Sequence, residues 1–191
     1  LSLDLGSRIG WPAELRILLE KYPREIWPGH TNLGDTARFW LERHEFFRKL
    51  GGSLGAATAE FREGRLGAET FRTFFASLLQ LFLSHLEGHH QIEDLHFFPL
   101  FRAAEARLAR GFDVLEGDHE AIHQEISGVV EAANRLLQAM HGPADPQRAA
   151  TDLYADASDR LLNSLARHLD DEEDLIVPVI LEQGERQLFR S

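Results

Sequence analysis

The sequence predicts an all-α protein, an up-down-up-down four-helix bundle with an extra short helix on its N-terminal side. Three observations lead there. Apolar residues recur at helical spacing through four long stretches. Strand signals are nearly absent: valine occurs only five times in 191 residues, and no apolar/polar alternation is sustained. The long stretches are joined by short segments carrying Gly and Pro.

The first helical stretch, roughly 12–22, has Pro12 near its start and Leu15, Leu18 and Leu19 on one side; Pro23, Pro28 and Gly29 then predict a loop. A long helix over about 35–63 follows, with Phe39, Trp40, Phe47, Leu50, Leu54 and Phe61 as its apolar side and a bend at Gly51–Gly52. The next, about 68–97, carries Phe71, Phe75, Leu78, Leu79 and Phe82 and is expected to stop at Pro99, with a short helical tail near 101–108. The third long helix, about 112–140, is closed by the loop His141-Gly-Pro-Ala-Asp-Pro146. The fourth, about 147–174, carries Leu153, Leu161, Leu162, Leu165 and Leu169 and is expected to end before Pro178. The resulting organisation is an extension over 1–34, the bundle over 35–182 and a tail over 183–191.

Composition narrows the function. Hydrophobic residues make up 43% and charged residues 27%, which suits a soluble domain with a real core. Twenty Lys and Arg against 31 Asp and Glu give a net charge of −11, the wrong sign for nucleic acid or an anionic membrane. The absence of cysteine excludes disulfides, iron–sulfur ligation and thiolate zinc sites. No apolar run approaches the ~20 residues of a membrane span, and no signal-peptide core stands at the N-terminus, so a cytoplasmic location is expected. Ten histidines, most of them near acidic residues, are the unusual feature.

The histidines fall in a repeat. His89-His-Gln-Ile-Glu-Asp-Leu-His-Phe-Phe-Pro99 aligns without a gap on His168-Leu-Asp-Asp-Glu-Glu-Asp-Leu-Ile-Val-Pro178, with His89 on His168, Glu93 on Glu172, Asp94 on Glu173 and Pro on Pro. Upstream, His44-Glu-Phe-Phe resembles His119-Glu-Ala-Ile, 45 and 49 residues before the respective motif. The chain therefore reads as a doubled unit, a helix with His followed by a helix with His-x-x-x-Glu.

Residues four apart lie about one turn, ~6 Å, apart on one helix face. His89/Glu93 and His168/Glu172 thus each present an imidazole beside a carboxylate; His119, His123 and His44 add three imidazoles. These seven candidate ligands lie on all four long helices, and their apolar neighbours place them on or near the buried stripes. Burying them without partners would cost several kcal/mol, and two divalent cations supply the partner. Mixed imidazole and carboxylate suits iron, manganese or zinc rather than calcium or magnesium. Further candidates, as extra ligands or as supporting groups, are His85, His90, Asp94, His96 and Glu173. His30 and His141 lie in loops and are expected to be solvated.

This combination resembles the hemerythrin-like family, the HHE cation-binding domains, over about residues 37–182. The family pattern falls on His44, on His89/Glu93/Asp94 with Phe98–Pro99, on His119, and on His168/Glu172/Glu173 with Pro178. The resemblance implies a four-helix bundle holding two iron ions, with zinc, manganese or nickel as substitutes. His123 matches the second third-helix His of the oxygen-carrying hemerythrins, which many HHE domains lack. The carriers' last bridging acid corresponds to Glu173 and the HHE pattern's to Glu172, so both stay open. His90 stands where many relatives have Glu, and the segment before residue 35 matches no family pattern.

The function expected is a di-iron protein that binds or senses a small diatomic such as O2, or an oxidant, or handles iron, with a protein partner or a second copy as a further option. The alternative is a di-metal enzyme: an oxidase, a peroxidase-like protein or a hydrolase. Hydrolysis lacks an evident general base. A ferritin-like carboxylate site fails on the fourth helix, where the order is His-x-x-x-Glu instead of Glu-x-x-His.

Overall fold

The computed structural model describes residues 2–189, and among them there are helices and no strand. The helices are α1 (Ile17–Lys21), α2 (Asp35–Arg62), α3 (Ala68–Ile92), α4 (Phe98–Ala104), α5 (Ala109–Ala139), α6 (Ala144–Gln183) and α7 (Glu185–Leu188). Short 3-10 turns at Ala13–Leu15, Arg24–Gly29 and Ala106–Leu108 join them. Among the described residues no helix is long and apolar enough to cross a membrane.

Helix ends follow local chemistry. Past the end of α2, Gly64 has φ +74°, and Arg65 N donates to Glu60 O at 2.9 Å, a closure that glycine makes without strain. Gly51 and Gly52 do not interrupt α2; a Cβ on Gly51 would meet Leu162 at 2.5 Å, so glycine there admits a close neighbour. Contrary to the expected stop, α6 runs through Pro178 to Gln183. A proline removes one backbone donor, and the flanking residues Leu175, Ile176, Val177, Val179, Ile180 and Leu181 are all buried, which outweighs that loss. The actual terminator is Gly184 at φ +79°, whose N–H donates to Ile180 O at 2.8 Å.

A second departure lies between α3 and α4, where Glu93–Phe97 winds as a π-helical turn. Pro99 does not stop the chain there. It occupies the first turn of α4, where a missing N–H is not needed. Such turns insert one residue into a helix and re-aim the side chains beside it.

The described chain forms two compact units, each taking a piece of all four long helices. One comprises the described residues up to Glu45, His89–Glu120 and those from Ala166 onward; the other comprises Phe46–Gly88 and Ala121–Leu165. In the first, the N-terminal segment is part of the core. Trp11, Leu15, Leu18, Trp27 and Leu33 are buried with Trp40, Phe98, Phe101, Phe112 and the 175–181 stretch. Its indoles are satisfied, Trp11 Nε1 donating to Asp171 O at 2.7 Å and Trp27 Nε1 to Tyr22 O at 2.8 Å. The stretch 24–29, expected to be loop, is a 3-10 turn because Pro28 has a φ compatible with it and Trp27 anchors it. In the second unit, Phe61, Phe71 and Phe75 stack in sequence, and Tyr154 meets Phe75 edge-on.

Two residues expected on apolar stripes face outward instead: Phe39 is 60% and Leu153 54% exposed. The stripe of α2 passes through Ala37, Trp40, His44 and Phe47, which leaves Phe39 to one side. Phe112→Ala, at a fully buried ring, is expected to destabilise by about 3–5 kcal/mol. Phe39→Ala should change stability by less than about 0.5 kcal/mol. Urea unfolding of the two variants checks the pair.

Candidate metal centre

The first unit contains every residue of the site. α2 supplies His44, α3 supplies His89 and His90, the π turn supplies Glu93 and Asp94, α5 supplies Asp118 and His119, and α6 supplies His168, Glu172 and Glu173. Two groups of ligand atoms form. His90, His119 and His168 make one; His44, His89, Glu93 and Glu172 make the other, with the atoms of each group within 4.8 Å of one another.

In the first group the Nε2 atoms of His119 and His168 face each other at 3.0 Å. The His90 ring stacks on His119 with centroids 4.0 Å apart and planes 12° from parallel. The outer nitrogens are held by carboxylates, His119 Nδ1 lying 2.8 Å from Asp94 Oδ1 and His168 Nδ1 3.4 Å from Asp118 Oδ2. In the second group, His44 Nδ1 lies 3.0 Å from Glu173 Oε1, while its Nε2 accepts the Trp40 indole N–H at 2.8 Å. An imidazole whose outer nitrogen donates to a carboxylate directs its inner lone pair toward a metal; at His44 a cation would take that lone pair from the Trp40 N–H.

Two carboxylates reach both groups. Glu93 Oε1 is 2.9 Å from His89 Nε2, and its Oε2 is 3.6 Å from His119 Nε2. Glu172 Oε2 is 3.6 Å from His44 Nε2 and 3.4 Å from His168 Nε2. Both side chains are essentially inaccessible, and neither carboxylate, nor Nε2 of His90, has a well-aligned hydrogen bond among the described residues. Buried polar atoms without partners are costly unless something binds them. An imidazole-rich set with two shared carboxylates fits transition-metal cations.

The charge state points the same way. Burial pushes the Glu93 carboxyl far up, and the neighbouring Glu172 charge adds to this. Burial lowers His89 and His90, and it lowers His119 against the pull of Asp94. For His168 burial works downward, but the nearby carboxylates of Asp118 and Glu172 outweigh it and raise the ring to about 9. Burial would raise Glu172, yet the imidazoles of His44 and His168 beside it bring it below the ordinary range. A proton on His168 therefore offsets part of the carboxylate charge at neutral pH.

The structure brings together six of the seven candidate ligands read from the sequence: His44, His89, Glu93, His119, His168 and Glu172. The seventh, His123, is exposed and belongs to neither group. The buried stripe of α5 runs through Leu115, His119, Ile122, Val129 and Leu136, and His123 is rotated about 100° from Ile122. His90, read only as a further candidate, is buried in the three-histidine group. Of the two acids left open, Glu172 lies among the ligand atoms and Glu173 behind His44. Asp94 likewise stands behind His119. His85 is exposed with its ring against Phe46, and His96 is exposed on the π turn. His30 is half-buried, its Nδ1 accepting from Asn32 N at 3.1 Å, and His141 is exposed. Asp118 escaped the sequence reading. Its only signal is its position next to His119.

Two shared carboxylates between imidazole groups in a helical interior define a cation-binding helical protein. The profile of the hemerythrin HHE cation binding domain matches residues 35–180. The chain belongs to that family. No curated protein and no solved structure matches it.

His90→Ala should cut cation affinity by more than the ~10- to 100-fold typical of an outer partner, while His123→Ala should leave it unchanged; chelator competition with Zn2+ or Co2+ measures both. Because a metal needs neutral His168, uptake must expel the proton that ring carries below about pH 9. Affinity should therefore rise with pH from neutrality toward 9, and calorimetry in buffers of different ionisation heat should register proton release at pH 7.

Proposed function

We propose that the chain is a non-haem di-iron protein of hemerythrin type, an up-down-up-down bundle whose ligands are His44, His89, His90, Glu93, His119, His168 and Glu172. One observation carries this reading: Glu93 and Glu172 each reach from one imidazole group to the other, the arrangement two neighbouring cations require. Nitrogen-rich donors favour iron, with zinc, manganese or nickel as substitutes. A ferrous pair would supply electrons and an open coordination position for a small oxidant.

The surrounding residues set what reaches that position. Trp40, Phe97, Phe98 and Phe101 form an apolar wall, with Trp40 and Phe97 in edge contact at 4.6 Å and Phe98 lying over His119 at 5.3 Å. Such a wall admits a diatomic more readily than an organic substrate, and it slows proton and water entry. Five imidazoles and two carboxylates, with both carboxylates shared, fill about nine of the roughly twelve positions around two six-coordinate ions. Little room is left beyond one small ligand and a shared oxygen bridge. O2 or a related oxidant is accordingly the proposed ligand, bound or sensed without turnover of an organic substrate, in the cytoplasm where iron stays reduced.

The test is the visible spectrum of anaerobic, iron-loaded protein exposed to air. A band that appears with O2 and bleaches when O2 is removed is expected. Irreversible oxidation to a stable ferric pair would assign iron storage or redox sensing instead. Rapid conversion of an added organic substrate would establish an enzyme.

A further inference from the structure

The N-terminal segment lies outside the region matched by the family, yet it sends two arginines to the centre. Arg8 is 2% exposed. Its Nη1 donates to Asp118 Oδ1 at 3.2 Å, its Nη2 to Asp118 Oδ2, and its Nε to Asp171 Oδ2 at 2.8 Å. Asp118 is the carboxylate behind His168. Arg24 does the same on the other side. Its Nη1 donates to Glu173 Oε2 at 3.0 Å, its Nε to Asp174 Oδ1 at 2.6 Å and its Nη2 to Asp170 O at 2.8 Å. Glu173 is the carboxylate behind His44.

Each chain of contacts has the same order: arginine, carboxylate, outer imidazole nitrogen, inner nitrogen. Both guanidinium groups lie over a tryptophan of their own segment, Arg8 4.8 Å from the Trp11 ring and Arg24 5.1 Å from the Trp27 ring. Arg8 is further gripped through its carbonyl, which accepts from Arg167 at 3.0 Å. The third pair, Asp94 and His119, differs. Asp94 is 39% exposed and meets no arginine among the described residues. Arginine is thus spent on Asp118 and Glu173, the two carboxylates cut off from solvent.

We infer that Arg8 and Arg24 are positioning residues of the metal centre, each fixing the direction of one carboxylate so that it holds the outer nitrogen of His168 or His44 and turns the inner nitrogen toward the ligand group. The inference rests on the metal-binding reading above. The physical reason is that a carboxylate deprived of its guanidinium partner is free to rotate away from the ring it holds. The imidazole then loses its anchor and its fixed orientation. A planar, permanently charged fork prevents this in a way a lysine ammonium does not. The two arginines act on different groups, Arg8 on the three-histidine group and Arg24 on the His44 group.

The test uses the full-length chain loaded with Co2+, whose paramagnetism shifts the N–H proton resonances of bound imidazoles, assigned with nitrogen-labelled histidine. Arg24→Gln is expected to lose the protected His44 N–H signal and to weaken one of two cobalt ions by ~10- to 100-fold, leaving the His168 signal in place. Arg8→Gln should show the converse. Arg8→Lys and Arg24→Lys should restore affinity only in part. Lys21→Gln cuts another tie between the N-terminal segment and α6, Lys21 to Glu182 at 2.6 Å, and should alter neither signal. If Arg8→Gln does not fold, Arg24→Gln, whose wild-type side chain is 41% exposed, carries the test. Wild-type affinity and signals in both arginine variants would overturn the inference. So would equal losses at both groups shared by Lys21→Gln, which would reduce the arginines to segment docking. Wild-type protein that binds no cobalt would overturn the metal reading itself, and this inference with it.

Discussion

Placing imidazoles and carboxylates where water does not reach is the constraint on which the rest of this structure depends. His44, His168, Glu93 and Glu172 are all at most 1% exposed, and each would cost several kcal/mol if left without a partner. The protein answers in layers. Inner nitrogens and the oxygens of Glu93 and Glu172 converge on two groups of ligand atoms. Outer nitrogens meet Asp94, Asp118 and Glu173. Beyond two of those acids stand arginines, which in turn donate to main-chain carbonyls of Leu3 and Asp170. Each layer satisfies the one inside it, and the last returns to solvent or backbone.

This layering explains features that look unrelated at first. The π turn at Glu93–Phe97 interrupts a regular ladder, a cost that is tolerated because the turn brings Glu93 inward and Asp94 onto His119 within two consecutive residues. The passage of α6 through Pro178 keeps the 175–181 stretch packed against the aromatic residues of the N-terminal segment. That segment then has a rigid seat from which Arg8 and Arg24 can reach α5 and α6. A site held from several elements at once is fixed more tightly than any one helix would hold it, which is what metal geometry demands.

Much of this was legible in the residues themselves. Helical periodicity and the absence of strand signals gave the class of fold; the gapless match of the two His-x-x-x-Glu motifs pointed to four residues of the two groups, and the paired upstream histidines, His44 and His119, to two more. The misses have specific causes. His123 looked inward because Ile126 and Val130 follow it, yet Val130 is itself exposed and the stripe runs on the Ile122 side. His90 looked peripheral because neighbours in a regular helix are 100° apart and His89 had been placed inside. In the fold both enter, into different groups, His90 with His119 and His168 from α5 and α6, and His89 with His44 from α2 and Glu172 from α6.

The sequence by itself determined the helices, the repeat and the metal-binding chemistry, because periodicity and i, i+4 spacing are properties of a single chain segment. Only the tertiary structure decided which of two adjacent acids, Glu172 or Glu173, lies within a group of candidate ligand atoms and which backs His44. It alone revealed the arginine supports, since Arg8 meets Asp118 across 110 residues and Asp171 across 163. No local pattern encodes a contact of that separation; it exists only once the segment before α2 has packed its tryptophans into the core.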